Sequence, residues 1–226
     1  MESPRGVRCM ESVVVRRYGI TRKRAFSLPL DFFRFLRYNS KSKYNEDRAR
    51  THSMKKYVFV INGPGGVGKD TLCNMAAKHF RVHNISSITP IKEIAKMCGW
   101  TGEKTDRARK FLADLKALTV AYNDYPTRWV LADYETFLAS EDEIMFVHIR
   151  EGEEIRKFVE ATNGRAITLL IRGGRRFHHR GGAYGNAADD DVEKYRYDYV
   201  FYNDRPIAAT ERAFVAFLNR VMREHS

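Results

Sequence analysis

Residues Tyr57-Val58-Phe59-Val60-Ile61 are apolar without alternation, the pattern of a strand buried on both faces rather than one lying on a solvated surface. From Lys69 to about Val82 the period changes, and Leu72, Met75, Ala76 and Phe80 recur as one face of a helix. Followed along the chain, these two patterns predict strands at 57–62, 84–89, 144–149, 166–172 and 198–202. They predict helices at 69–82, within 90–139, at 152–162, in a short piece after 189, and at 206–224. Strands alternating with helices specify a parallel sheet covered on both faces, a three-layer α/β/α fold. Ligands in such sheets bind beyond the carboxyl ends of the strands, so residues at those ends are the first functional candidates.

Between the first strand and the first helix the chain reads Gly63-Pro64-Gly65-Gly66-Val67-Gly68-Lys69-Asp70-Thr71. Strand, glycine-rich loop and helix are the context a phosphate-binding loop requires. The glycines expose successive backbone N–H groups as an anion nest, and the helix N-terminus adds partial positive charge there. Lys69 then reaches the β- and γ-phosphates of a nucleotide. The expected ATP-binding set is Gly63, Gly65, Gly66, Val67, Gly68, Lys69, Asp70 and Thr71, with Mg²⁺ as the accompanying metal. Gly63-x-Gly65-x-x-Gly68 also fits a dinucleotide fingerprint, but that reading needs an acid about 20 residues on. The next strand ends in Pro90 with no acid at its tip, and Lys69 has no task in that fold. The residue after the lysine is normally Ser or Thr, whose hydroxyl binds Mg²⁺. Here Asp70 and then Thr71 are the metal candidates, since Mg²⁺ accepts a carboxylate directly or through water. A further basic group is expected to offset the added negative charge.

Gly-x4-Gly-Lys-Asp-Thr resembles the loop of bacteriophage-type deoxynucleoside monophosphate kinases and of animal phosphomevalonate kinase, both small P-loop kinases. Pro90-Ile91-Lys92 resembles the start of their acceptor-side helix, and Ala108-Arg109-Lys110-Phe111-Leu112 is similar to their Pro-Arg-x-Leu-Leu segment. Arg150-Glu151 stands where they carry an arginine after the third core strand, and Tyr197-Asp198 to Asn203 resembles their final strand. The likeness spans about residues 56–224. It implies an ATP-dependent nucleotide kinase fold that transfers the γ-phosphate to a phosphorylated small molecule, a (deoxy)nucleoside monophosphate first and phosphomevalonate second. His148 departs from the pattern, standing where an acid often ends the third strand. That departure, with Asp70, keeps open a regulatory module that binds nucleotide with little turnover.

The remaining basic residues divide by position. Lys92, Arg150 and Arg172 follow the second, third and fourth strands, and the helical stretch 90–139 is large enough to hold an acceptor. Lys92, Arg109 and Arg150 are the expected acceptor-binding residues, with Arg107 a weaker candidate. The loop 173–188 carries Arg175, Arg176 and Arg180 between glycines, as a lid closing over phosphates would. Arg175 and Arg180 are assigned to ATP, and Lys69, Arg172 and Arg176 to the transferring phosphoryl group. His178-His179 read as solvated rather than metal-binding, and Asp189 to Asp191 as the cap of the next short helix. Trp100, Trp129 and Tyr122 read as core aromatics before base-stacking ones.

Charge changes the picture only at the N-terminus. Residues 1–53 hold 13 Lys/Arg and 5 Asp/Glu, a net of +8, against 27 and 23, a net of +4, in residues 54–226. The folded part is therefore only mildly basic, which fits phosphorylated small molecules and leaves nucleic acid at most a nonspecific partner of the basic extension. The extension lacks a signal-peptide core, and Glu2, Glu11 and Asp31 count against a transit peptide. It is expected to be disordered or dispensable, with a kinase domain beginning at Met54. Cys9, Cys73 and Cys98 form neither a disulfide framework nor a zinc signature. No apolar run approaches a membrane span, so a cytoplasmic protein with free thiols is expected.

Overall fold

The computed structural model describes residues 55–173 and 192–226. The expectations for residues 1–53, for Met54 as a start, for Gly174 onward in the lid-like loop and for Asp189 to Asp191 lie outside those residues.

Five strands form one parallel sheet: β1 (Tyr57–Asn62), β2 (Val82–Ser86), β3 (Ile144–His148), β4 (Ala166–Gly173) and β5 (Tyr199–Asn203), in the spatial order β2-β3-β1-β4-β5. The strand with the least alternation, β1, lies at the centre. Its Phe59 and Ile61 enter one core with Leu72, Met75, Phe146, Phe214, Leu218 and Val221. Val58 and Val60 enter the other with Val130, Tyr134, Phe137, Met145, Ile155 and Phe158. Burying each of these larger side chains is worth about 1.5–3 kcal/mol, so the central strand is fixed from both sides.

Helices α1 (Lys69–Ala76) and α6 (Ile207–Glu224) cover the first face. Helices α4 (Tyr125–Ala139) and α5 (Gly152–Ala161) cover the second, completing the three layers. Between β2 and α4 stand α2 (Thr89–Met97) and α3 (Asp106–Asn123). Within the stretch 90–139, α4 packs into the second core through Val130, Tyr134 and Phe137. In α3 just Ala108 is buried, and the helix is fixed by its ends: Thr105 Oγ1 accepts from Ala108 N at 3.2 Å, and Asp124 ends it in the left-handed region. No helix among the described residues is long and apolar enough to cross a membrane.

Several element boundaries differ from the sequence pattern, and three of the shifts have a visible cause. The first helix stops at Ala76 instead of Val82, and a turn through Lys78 and His79 brings Phe80 back against the core. The second strand runs 82–86, because α2 already begins at Thr89 and Pro90 lies in its first turn, where its fixed φ favours helix. The last strand begins at 199, because the Asp198 carboxylate accepts from Thr168 N and Thr168 Oγ1, both at 2.8 Å. The piece after 189 is a 3-10 turn, Val192–Lys194.

The outer strand β2 is tied down by His83, whose Nε2 lies 2.5 Å from Asp133 Oδ2 of α4, with Asp142 at 3.7 Å from Nδ1. The hydrogen bond to Asp133 raises the His83 pKa above its ordinary 6.5, against the lowering effect of partial burial. Its stabilisation is complete below the ordinary value and is lost as pH rises through the elevated folded-state value. Replacing His83 with Gln should lower the melting temperature at pH 6 and narrow its difference from the wild type by pH 9. An equal loss at both pH values would show that the charge at His83 contributes nothing.

Candidate nucleotide and phosphoryl-transfer site

The loop after β1 is shaped by close approach. Gly63 has φ 147° and Gly68 φ 92°, conformations that L side chains rarely adopt. A side chain at Gly63 would strike the Ile171 carbonyl of β4, and one at Gly68 would come within 2.7 Å of Asn203 Nδ2 of β5. The loop thus lies against the ends of two further strands, with Val67 buried beneath it. Asn203 Nδ2 donates to the Val67 carbonyl at 2.9 Å, fixing the far side of the loop. Lys69 Nζ folds back and donates to the Gly63 and Pro64 carbonyls at 2.5 and 2.9 Å. Asp70 and Thr71 are exposed on the first turn of α1, the Asp70 side chain at 90%.

At the near side of the loop stands Asn62, fully buried at the end of β1. Its Oδ1 accepts from Gly63 N at 2.8 Å, and its Nδ2 donates to the Arg150 carbonyl at 2.9 Å and to Tyr197 Oη at 2.7 Å. Tyr197 Oη in turn donates to the Val192 carbonyl at 2.9 Å. One amide therefore joins the start of the loop, the segment just after β3 and the chain that returns into β5. The exposed Arg150 is held by its backbone beside the loop. Arg172, near the end of β4, is in register with Tyr202, and the next pair in that ladder is Gly173 with Asn203.

His148 ends β3 on the opposite side of the loop from Asn203. Its side chain is 13% exposed, and its Nε2 lies 2.9 Å from Asn84 Oδ1, 3.7 Å from Cys73 Sγ and 3.9 Å from Asp70 Oδ1. Burial pushes its pKa down to about 4, against the opposing pull of Asp70, so the imidazole is neutral at neutral pH. Burial likewise pushes the Cys73 thiol up, leaving it protonated.

A second polar group lies beyond Arg150. Lys116 Nζ of α3 reaches Glu151 at 2.5 Å and Glu154 at 2.8 Å, and Ser87 Oγ donates to Glu154 at 3.3 Å. Burial raises the Glu154 pKa to about 7, Lys116 opposing it. This cluster clamps the otherwise exposed α3 to the β3–α5 junction.

The sequence-derived site residues separate accordingly. Gly63, Gly65, Gly66, Val67, Gly68, Lys69, Asp70 and Thr71 form one continuous loop and helix start, with Arg150 and Arg172 at adjacent strand ends. Lys92 lies within the first turns of α2 rather than directly after β2, exposed and without an ion pair among the described residues. Arg109 is exposed on α3 and pairs with Asp106 at 3.6 Å. Arg107 is also exposed. Trp129 packs against the second core, whereas Tyr122 is 87% exposed and so is not a core residue. Arg175, Arg176, Arg180, His178 and His179 fall outside the described residues. Asn62, Lys116 and Glu154 were missed, and Asn203 entered only as the end of a strand resemblance, without a role. The only local signal for Asn62 was an amide closing an apolar run.

The donor set fits Mg²⁺ accompanying a nucleotide. Asp70 offers an exposed carboxylate and Thr71 a hydroxyl beside Lys69, while no three His, Cys, Asp or Glu among the described residues gather into a cage. Mg²⁺ is commonly held in this way, by one or two carboxylates with water and substrate phosphates completing its shell.

No protein-family model and no curated protein matches the chain. Among solved structures it is similar to a gluconokinase from Sinorhizobium meliloti 1021, at 20% identity and TM-score 0.44, covering 76% of this chain and 95% of that one. It is also similar to the tunicamycin resistance protein of Deinococcus radiodurans, at 11% identity and TM-score 0.46, covering 73% and 96%. A third is the shikimate kinase of Aquifex aeolicus, at 12% identity and TM-score 0.42, covering 72% and 96%. The fold assignment rests on the sheet order and the loop between β1 and α1.

Replacing Asn62 with Ala removes a partner from the Gly63 N–H and from the Arg150 carbonyl in a buried setting. Leaving such groups unsatisfied costs about 1–3 kcal/mol each, so urea denaturation should show a loss of at least about 2 kcal/mol. An unchanged midpoint would show that the amide is replaceable by water.

Proposed function

We propose that the chain is an ATP-dependent phosphotransferase acting on a phosphorylated small molecule, a (deoxy)nucleoside monophosphate in the first instance. The observation that carries this reading is the Lys69 ammonium resting on the Gly63 and Pro64 carbonyls at the mouth of a glycine loop, at the carboxyl end of the central strand. ATP entering the loop offers phosphate oxygens to the backbone N–H groups and to Lys69, which exchanges carbonyl partners for charged ones. Asp70 and Thr71 would hold Mg²⁺, which supplies charge neutralisation for the phosphates when bound. Arg150, tethered through its backbone to Asn62, holds the acceptor's own phosphate, with Lys92 and Arg109 as its further contacts. Arg172 and the loop arginines Arg175, Arg176 and Arg180 serve the transferring group, Arg176 foremost. In-line transfer needs little covalent help from protein, and positioned charge is the main contribution such residues make.

His148 in place of an acid favours a second reading, a nucleotide-binding module with little turnover. Initial rates with ATP and Mg²⁺ distinguish the two, using dAMP, dCMP, dGMP and dTMP, with phosphomevalonate as the non-nucleotide acceptor. At least one acceptor should be phosphorylated faster than ATP is hydrolysed in water alone. Transfer to none of them removes the kinase reading in favour of the module.

Two substitutions probe the roles. Lys69→Ala should lower kcat by about 100- to 1,000-fold, the scale for losing a positioned donor to transition-state charge, with the far-UV spectrum unchanged. Arg150→Ala removes a charge-assisted bond worth about 1.5–3 kcal/mol, so the acceptor KM should rise about 10-fold or more. The KM for ATP should change little, since the contact lies on the acceptor side. Equal changes in both KM values would take Arg150 out of the acceptor site.

A further inference from the structure

The two outer strands end the sheet differently. The side chain of His83 on β2 is held by Asp133 and Asp142, whereas β5 reads Tyr199-Val200-Phe201-Tyr202-Asn203, with neither a charge nor a proline in it. An edge strand left bare in this way can take a further strand, because one row of its N–H and C=O groups faces away from the sheet. Alternation sends Phe201 into the first core and Val200 and Tyr202 to the other face, where they are 40% and 52% exposed. Beside this edge lies a groove of about 480 Å³, lined by Val200, Tyr202 and Phe217 together with Arg205, Arg220 and Arg223. We infer that this edge and groove bind an extended acidic peptide, which joins the sheet as a further strand beside β5. Nothing in this surface depends on phosphoryl transfer.

The charges select the occupant. Arg205 stands just past the end of β5, its Nη1 3.4 Å from the Tyr202 carbonyl and 3.6 Å from Asp204 Oδ1. Arg220 lies over the Phe217 ring, 5.4 Å from its centroid, with Glu224 Oε1 3.8 Å from its Nε. All four side chains of these two ion pairs are about half exposed, and pairs so placed contribute little that an incoming carboxylate must replace. Arg223 has no ion pair among the described residues. Carboxylates arriving beside Phe217 therefore meet guanidinium groups that can bind them with two parallel hydrogen bonds. A second copy pairing through its own β5 would instead bring two sets of these arginines together, with like charge. Side chains of an added strand alternate between the faces of the sheet. Those on the Phe201 face come beside the arginines, and those on the other face come beside Val200 and Tyr202. The peptide that fits thus alternates acidic and apolar residues, and main-chain hydrogen bonds to the edge supply its affinity.

The test uses the full chain and a fluorescein-labelled peptide alternating Glu and Val over about six residues, the length of an ordinary strand. Fluorescence anisotropy should show saturable binding, and amide hydrogen exchange across Tyr199–Asn203 should slow in the complex. A peptide with the same Glu and Val residues in two blocks should bind about 10-fold more weakly or worse, and so should one alternating Lys and Val. Arg220→Glu combined with Arg223→Glu should weaken the alternating Glu-Val peptide by about 10-fold or more, because both side chains turn from attraction to repulsion. Both residues are exposed, and if the double variant does not fold, Arg223→Gln should weaken binding in the same direction. Absence of binding at millimolar peptide overturns the proposal, as does equal binding of the blocked peptide or undiminished affinity in the arginine variants. Displacement of the peptide by ATP would assign the groove to the nucleotide and overturn it as well. So would light scattering that shows a dimer which Val200→Lys dissociates, since the edge then belongs to a second copy.

Discussion

At the carboxyl end of the central strand a single buried amide, Asn62, makes three connections that the site depends on. It receives the first loop N–H, holds the carbonyl of Arg150 and meets the hydroxyl of Tyr197. Because β1 is packed on both faces, that amide cannot shift without disturbing two cores. The loop therefore inherits the rigidity of the sheet at its start, and Asn203 supplies a matching anchor at Val67. A phosphate cradle needs this, because backbone N–H groups bind an anion well only when the folded chain has already oriented them.

Electrostatics around the cradle are arranged by burial as much as by charge. Lys69 donates to the Gly63 and Pro64 carbonyls, neutral partners that an anion can displace. Asp70 projects into solvent while His148 beside it is buried, with its pKa depressed to about 4, so the ring adds no positive charge there at neutral pH. Around α3 the logic is reversed. Lys116 is spent on Glu151 and Glu154, and what it fixes is the position of α3, whose own apolar contacts are too few to hold it.

The parts of this arrangement that were legible in the sequence are local. The unalternating run at 57–61 announced a doubly buried strand, and the glycine spacing after it placed a loop and helix start between β1 and α1. The alternation of strands and helices gave the three-layer class. Boundaries set by tertiary pairing were not legible: β2 is an edge strand of mixed polarity, and its register follows β3 rather than its own apolar residues. Asn62, and the partner of Asn203, were illegible for a related reason, since an amide at a strand end carries no sign of which carbonyl it will meet. His148 was visible as a departure, but its approach to Asp70 joins residues 78 positions apart and required the parallel pairing of β1 with β3.

The central claim is that the preformed loop recognises the polyphosphate of a nucleotide and not its base or sugar. Competition calorimetry on the full chain tests it, with ATP, AMP and inorganic tripolyphosphate titrated in the presence of Mg²⁺. ATP and tripolyphosphate should displace each other from one site, and AMP should displace ATP from it far more weakly. AMP displacing ATP as effectively as ATP itself does, or tripolyphosphate failing to displace ATP, would contradict the claim.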